Sequence, residues 1–312
     1  LQDAYDYTRG ANWPNAANTA ERGVIAGGDT GSIVNTMEFI TISSAGNAVD
    51  FGDLIAATGY VFNGQAASST RGVFGGGFTN QGINVIQYIT IANTGNATDF
   101  GDLSSARYSG GSCSSATRAV FMGGFTSSGQ DVIEYVTIAN TGNVTDFGNL
   151  TRGAYNNSGL ASPTRGINAA NQQNGEEIDY ITIANTGNAT DFGNLTTVTA
   201  SAAACSNNVR GVFGGGTISG VRAEIQYITI ATTGNSVDFG DLFVEVGSGG
   251  YSGGTAVSNP TRGVFAGGFV GPRINTMHTI IIATTGDSVD FGDLSAANYL
   301  PTATSNGHGG IA

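Results

Sequence analysis

Six times along this chain an arginine opens a short apolar run that stops on small residues, as in Arg71-Gly72-Val73-Phe74-Gly75-Gly76-Gly77. The arginines are Arg22, Arg71, Arg118, Arg165, Arg210 and Arg262, spaced by 49, 47, 47, 45 and 52 residues. Each is followed by a segment such as Ile86-Gln87-Tyr88-Ile89-Thr90-Ile91 and then by Asp-Phe-Gly, with the rings at Phe51, Phe100, Phe147, Phe192, Phe239 and Phe291. A unit this short cannot bury its apolar faces alone, so copies must stack on one another to make a core. Residues 1–312 are therefore read as a single repeat domain.

The connection from the last Ile of the middle segment to the Asp of Asp-Phe-Gly always spans eight positions, from Ile42 to Asp50 through Ile282 to Asp290. Its Gly-Asn or Gly-Asp pairs supply the positive-φ positions of a tight hairpin, and we read it as a structural turn. An Asn/Asp-rich turn also raises calcium, but the spacing matches no oxygen-ligand loop. Each unit reads as four strands, for example Tyr108 to Ser115, Arg118 to Met122, Ile133 to Ile138, and a last one through Phe147 to Leu150. The third carries apolar groups on both pleat faces, as a sheet packed between two others requires. No helix is needed.

Composition narrows the class further. The chain is 40% hydrophobic and 11% charged with 50 Gly, which suits short strands and many turns. No apolar run approaches the roughly 18 residues of a membrane helix. The 11 cations are all arginine against 23 acids, a net charge of -12 that repels nucleic-acid phosphates. Cys113 and Cys205 hold equivalent positions in repeats three and five, where Ala17, Ala66, Leu160 and Val257 stand elsewhere. The slot wants a small or medium apolar group, and two non-adjacent copies of it form no disulfide.

An apolar strand ending on Gly-Gly, a strand bearing Tyr, and an aromatic followed by Leu and then Ala106-Arg107 resembles the kelch repeat over residues 22–300. That resemblance implies a β-propeller with one four-stranded antiparallel blade per repeat, here six blades of about 45–52 residues. The pattern departs from kelch in having Phe where kelch usually has Trp, and Asn168-Ala169-Ala170-Asn171 in the fourth repeat in place of the Gly-Gly end. The wording Tyr-Ile-Thr-Ile-Ala-Asn-Thr-Gly-Asn-Ala-Thr-Asp-Phe-Gly also resembles repeats in structural and tail proteins of marine tailed phages, including those of cyanobacteria. Closing such a ring needs a strand from the far end of the chain, since an open ring leaves exposed edges. Residues 301–312 are expected to seal the first blade, with residues 1–16 in part a leader; Gly10 to Ala20 is the competing first strand.

Catalytic constellations are not found. His278 occupies a strand position held elsewhere by Glu38, Gln87, Glu134, Asp179 and Gln226, and is expected to be a solvated polar alternate. His308 lies in a Gly-rich terminal piece expected to be flexible. Neither histidine comes with a nucleophile elbow, and two histidines with two packing cysteines do not assemble the copper site of kelch-type oxidases. Asp-Phe-Gly occurs without a strand lysine or phosphate loop, so it is no kinase element. The repeat arginines are expected to brace the structure by pairing with a repeat Asp or a carbonyl.

Binding is expected in the loops that vary while the scaffold repeats. From the Leu after Asp-Phe-Gly to the next anchor arginine the distances are 17, 15, 15, 15 and 20. The candidate residues are Phe243, Glu245 and Tyr251 in the longest of these, Gln172, Gln173, Asn174, Glu176 and Glu177 in the fourth repeat, and Phe269 and Arg273 in the sixth. No cofactor, metal, nucleic acid or membrane insertion is expected. The phage resemblance implies a virion or extracellular setting. There the chain would be a non-enzymatic structural or adhesion module with virion or surface-assembly partners and a host glycan or envelope ligand. The alternatives are a secreted glycan-acting enzyme using channel Asp, Glu and Tyr, or a bacterial extracellular binding scaffold.

Overall fold

The computed structural model describes residues 21–218, 220, 222–243 and 250–311. The expectations for residues 1–16, for Gly10 to Ala20 and for Glu245 lie outside the described residues. Within them the chain is all-β, with antiparallel strands gathered in five sheets and no helix. The first repeat supplies β1 (Arg22–Ala26), β2 (Thr36–Thr41) and β3 (Val49–Asp53), and the second β4 (Asn63–Gly64), β5 (Arg71–Gly75), β6 (Val85–Thr90) and β7 (Thr98–Asp102). In the third are β8 (Gly111–Ser114), β9 (Arg118–Met122), β10 (Gln130–Thr137) and β11 (Thr145–Ala154), and in the fourth β12 (Ser158–Ala161), β13 (Arg165–Ala169), β14 (Glu177–Thr182) and β15 (Thr190–Asn194). The fifth has β16 (Ala203–Ser206), β17 (Arg210–Gly214), β18 (Glu224–Thr229) and β19 (Val237–Asp241). The sixth has β20 (Thr255–Ser258), β21 (Arg262–Ala266), β22 (Thr276–Ile281) and β23 (Val289–Asp293), and β24 (Thr302–Ser305) ends the series.

Asp-Phe-Gly is a β-bulge in every repeat. In the second, Ile86 faces Gly101 and Gln87 faces Asp99, so Phe100 is the extra residue and its ring turns into the core, 2% exposed. Four tyrosines and Phe39 on the adjoining strand meet these rings edge to face at 5.9–6.1 Å. The anchor arginine lies over the same aromatic, 4.4–4.5 Å from its centroid in repeats one to five. It also reaches the next repeat: Arg71 Nη1 donates to Ile138 O and Ala139 O at 3.0 Å, and Arg118 to Ile183 O at 2.9 Å and Ala184 O at 2.8 Å. The brace thus runs to carbonyls rather than to a repeat Asp.

The hairpin turn is a clasp between repeats. Gly95 N donates to Phe51 O and the Asn96 amide oxygen accepts from Asp53 N; Gly142 and Asn143 do the same to Phe100 and Asp102. The pattern continues to the last repeat, where Phe291 O and Asp293 N bond Gly46 N and Asn47 Oδ1 of the first at 2.8 and 3.1 Å. The Asn oxygen that a calcium ion would use is therefore already an acceptor. Apolar clusters follow the same order. Phe100 and Ile86 pack with Phe121 and Ile138 of the next repeat, while Phe291 and Met277 of the sixth pack with Ile25 and Ile42 of the first.

The C-terminal segment adds a strand to the sheet of the first repeat. β24 pairs antiparallel with β1, and Asn306 Oδ1 accepts from Arg22 N at 2.9 Å. Ser68, Ser115, Ser162, Asn207 and Asn259 hold the equivalent amides of the other five arginines. Cys113 and Cys205 are free and buried, each packed against the glycine after an anchor arginine in the next repeat, Gly166 and Gly263. Burial pushes both thiols up to about 12.

The second repeat departs from four strands. Tyr60 stands eleven residues before Arg71, whereas Ser109, Asn156, Ser201 and Gly253 each stand nine before theirs. The two extra residues push β4 inward, where it pairs parallel with β8 and β12, and leave β5-β6-β7 as a three-stranded sheet.

Gly101 (φ +149°) is needed twice, because a Cβ there would sit 2.3 Å from Gly142 O, whereas at Gly95 (φ +155°) it would meet nothing within 4 Å. Gly95→Ala should cost about 1 kcal/mol for backbone strain alone, and Gly101→Ala roughly 2–4 kcal/mol because the clasp must open. Urea titration of the two variants checks this, and equal losses would overturn the clasp.

Candidate functional site

The first strands β4, β8, β12, β16, β20 and β24 neighbour one another in that order, and β24 returns against β4. Hydroxyls link them. Ser305 Oγ donates to Ser258 O at 2.7 Å, Ser258 Oγ to Ser206 O and Ser206 Oγ to Ala161 O at 2.8 Å, and Ser114 Oγ to Ala67 O at 2.8 Å. Each buried hydroxyl thereby meets its desolvation cost locally. At one end Tyr60, Ser109, Asn156, Ser201, Gly253 and Leu300 all adopt φ of 53–61°. Their backbones are chained, with Ser109 N bonding Tyr60 O at 2.7 Å, Asn156 N to Ser109 O at 2.6 Å, and so on to Leu300 N with Gly253 O at 2.7 Å. The space they enclose is about 20 Å³, on the order of one or two waters.

The C-terminal tail lies against the inner strands at Ser114 and Ser206. His308, expected to be flexible, is instead 1% exposed. Its Nδ1 accepts from Gly310 N at 3.1 Å, which leaves the proton on Nε2, 3.2 Å from Ser114 Oγ and 3.4 Å from Ala67 O. Burial pushes its pKa down to about 4, with the bond to Ala67 opposing. Gly310 fits because a Cβ there would fall 1.8 Å from Ser114 O.

His278 also departs from expectation, being buried at 3% exposure. The position it shares is a polar brace to the segment after the preceding Asp-Phe-Gly. Gln87 Oε1 accepts from Ile55 N at 2.9 Å, Glu38 from Ser295 N at 3.0 Å, and Gln226 from Thr197 N at 2.9 Å. Glu134 there pairs with Arg107, a fully buried guanidinium that also donates to Gly123 O at 2.8 Å. Burial lowers the Arg107 pKa while Glu134 opposes. Asp179 accepts from Thr151 Oγ1 at 2.8 Å and is pushed up to about 6 by burial; the Thr151 bonds oppose, and Glu177 and Asp191 add repulsion.

Around the chained ring runs a crescent of half-exposed aromatics. Tyr60 meets Phe78 at 6.1 Å, Phe78 meets Tyr108 at 5.2 Å, Tyr108 meets Phe125 at 5.5 Å, and Phe125 meets Tyr155 at 5.0 Å. Beyond Tyr60, Tyr299 sits 5.7 Å from Phe269. The ion pair of Arg273 with Asp29 (2.8 Å) lies within electrostatic reach of Tyr60 and Tyr299. At the other end Gln172 N bonds Tyr155 O at 2.9 Å, Gln173 packs beside Tyr155 at Gly129 and Gly153, and Glu177 pairs with exposed Arg152 at 3.4 Å.

Two of the three expected loops thus bracket one feature. Phe269 and Arg273 stand at one end, and Gln172, Gln173 and Glu177 at the other. Asn174 is half exposed, its N–H bonding Asn171 Oδ1 at 2.7 Å and its side chain donating to Glu177 at 3.3 Å, while Glu176 is exposed beside it. Tyr251 is not a surface residue: it is 1% exposed and its hydroxyl donates to Ala266 O at 3.3 Å. Phe243 is exposed, its ring 6.4 Å from His278. The crescent escaped the sequence reading because its rings hold different repeat positions: Phe78 and Phe125 follow Gly-Gly, Tyr108 and Tyr155 precede the positive-φ residue, and Tyr60 is that residue. Among the described residues no group of three His, Cys, Asp or Glu is placed to share a metal ion. No protein-family model matches this chain, and no curated protein matches it significantly.

Two of the buried titrating groups, His308 and Asp179, tilt stability oppositely. The His308 pKa falls from 6.5 to about 4 on folding, so its contribution is complete above pH 6.5 and is lost as pH falls toward 4. The Asp179 pKa rises from 3.8 to about 6, so its contribution is complete below pH 3.8 and is lost as pH rises through 6. The spans correspond to about 3 kcal/mol for His308 and, allowing for solvent, ~1–2 kcal/mol for Asp179. In urea melts from pH 4 to 8, His308→Gln should flatten the acid loss and Asp179→Asn should gain on the parent as pH rises. Profiles parallel to the parent in both variants would overturn these assignments.

Proposed function

We propose that the six repeats close as a six-bladed, kelch-like β-propeller, and that the chain is a non-enzymatic structural or adhesion module of a virion or its tail that engages a host surface ligand. The propeller reading is supported by the clasp that returns from Phe291 and Asp293 to Gly46 and Asn47, and by β24 completing the sheet of β1. The wording of the repeats supports the virion setting.

The observation that carries the binding reading is the contrast between axis and face. Along the axis, serines and backbone groups are bonded to one another and a space of about 20 Å³ is left. On the face, a run of aromatic side chains stays half exposed between two charged pairs. Side chains of this kind are characteristic of recognition surfaces. A glycan-acting enzyme would instead need two carboxyl groups converging at a spacing set by its mechanism. The test is proteomic and cellular. The chain should be recovered with purified particles, and the isolated chain should adsorb to intact host cells. Recovery from neither would sink the reading.

A further inference from the structure

We propose that the sixth repeat carries a binding site for a small phenolic molecule, whose ring takes the place that an aromatic side chain fills in each of the other five repeats. In those repeats Phe39, Tyr88, Tyr135, Tyr180 and Tyr227 lie between two fixed groups. The anchor arginine covers one face, 4.4–4.5 Å from the ring centroid, and the bulge phenylalanine meets the ring edge to face at 5.9–6.1 Å. The sixth repeat has Thr279 at that position. It faces Val264 on β21 and Val289 on β23, as Tyr88 faces Val73 and Thr98. Arginine and phenylalanine are kept as Arg262 and Phe291, so the stack lacks only its middle member.

A groove of about 360 Å³ lies there, lined by Arg262, Thr279, Ile281, Thr285, Asp287 and Val289, a size within the range of small-molecule sites. Thr279 is 9% exposed, and its hydroxyl already donates to Gly263 O at 3.0 Å, so it makes no polar demand on a ligand. The rim is apolar. Ile281, 42% exposed, stands where the other repeats have Thr41, Thr90, Thr137, Thr182 and Thr229, and Val289 is 61% exposed. An aromatic ring seated between them would remove both from water.

The guanidinium is also uncommitted. The other five anchor arginines donate Nη1 to carbonyls of the next repeat at 2.8–3.3 Å. Arg262 keeps only the bond from its backbone amide to Asn259 Oδ1, and among the described residues its guanidinium has no hydrogen-bond or ion-pair partner. Its planar, weakly hydrated face suits the π face of a ring. Asp287 on the turn and the net charge of -12 favour a phenol over an aromatic acid. β22 is paired along both edges, so its backbone offers an extended peptide nothing to bond, which favours a free molecule over a partner's side chain.

p-Cresol, the tyrosine side chain cut at the Cα–Cβ bond, is the probe. Titrated into the intact chain at millimolar concentration, it should shift the methyl resonances of Thr279, Ile281 and Val289 and raise the melting temperature. Thr279→Tyr restores the pattern of the other repeats. That variant should melt higher than the parent and, with the space filled, bind p-cresol roughly tenfold more weakly or worse. Arg262→Gln should weaken binding roughly threefold. Cyclohexanol, of like size but without a π face, and p-toluate, its acidic counterpart, should both bind more weakly than p-cresol. The proposal is overturned if p-cresol leaves the three methyls unmoved, if Thr279→Tyr binds it as the parent does, or if cyclohexanol or p-toluate binds at least as tightly. A tyrosine-containing peptide that binds more tightly than p-cresol would make the groove a slot for a partner's side chain and overturn the small-molecule assignment.

Discussion

The structure depends on a backbone exchange between neighbouring repeats. A tight turn delivers Gly95 N and the Asn96 amide oxygen to Phe51 O and Asp53 N, and the same exchange recurs from repeat to repeat. Neither side is complete alone. The bulge leaves the phenylalanine carbonyl and the amide two residues on without partners in their own ladder, and the turn offers one donor and one acceptor beyond its hairpin. Pairing them satisfies both while seating the phenylalanine ring in the apolar layer between the same two sheets. Because the last repeat makes this exchange with the first, the chain ends with no repeat left unpartnered at this site.

Bringing six first strands together creates a second problem at the axis, where their backbones converge as neighbours without the normal antiparallel ladder. Serine hydroxyls answer it by reaching the next strand's carbonyl, and positive-φ residues chain their amides around one end. Tyr60 and Leu300 accept a strained conformation of order 1 kcal/mol or more to do so. The inserted pair of residues in the second repeat fills the centre, and glycine is required at Gly64 because a Cβ there would fall 2.0 Å from Ser112 O. With the axis consumed by its own polar groups, the half-exposed aromatic side chains lie on the surrounding face.

The repeat unit, its turns and its regularly placed phenylalanines could be read from spacing, since each is a local rule applied six times. Arginine as a brace was legible too, with a carbonyl among its expected acceptors, and that carbonyl belongs to the next repeat. The shared position of Glu38, Gln87, Glu134, Asp179, Gln226 and His278 looked solvent-facing because polar residues on a strand usually are. It is buried in every repeat but the first, where Glu38 is half exposed, because the segment after the preceding bulge folds over it, and that cover comes from another repeat. His308 misled for the same reason: a glycine-rich end reads as loose until the serines that enclose it are known. The irregular loops at 172–177 and 269–273 stand at the ends of the aromatic crescent, whereas Tyr251, in an equally irregular loop, turned inward to pack beneath Gly254 and Gly268.

Sequence by itself determined the period, the strand and turn content, the small residues at close approaches and the absence of lysine from an acidic surface. These follow from steric and hydrogen-bonding limits that act within a few residues. Only the tertiary structure decided which polar groups are buried, that the axis is filled, and that seven aromatic rings from four repeats make one crescent beside two ion pairs. Those outcomes depend on how far apart the repeats sit and how each is turned toward the next, distances set by the clasp and the phenylalanine layer and written in no single segment. The repeated Arg71 to Leu103 unit builds the frame; what distinguishes its face is the company its irregular residues keep once the frame is closed.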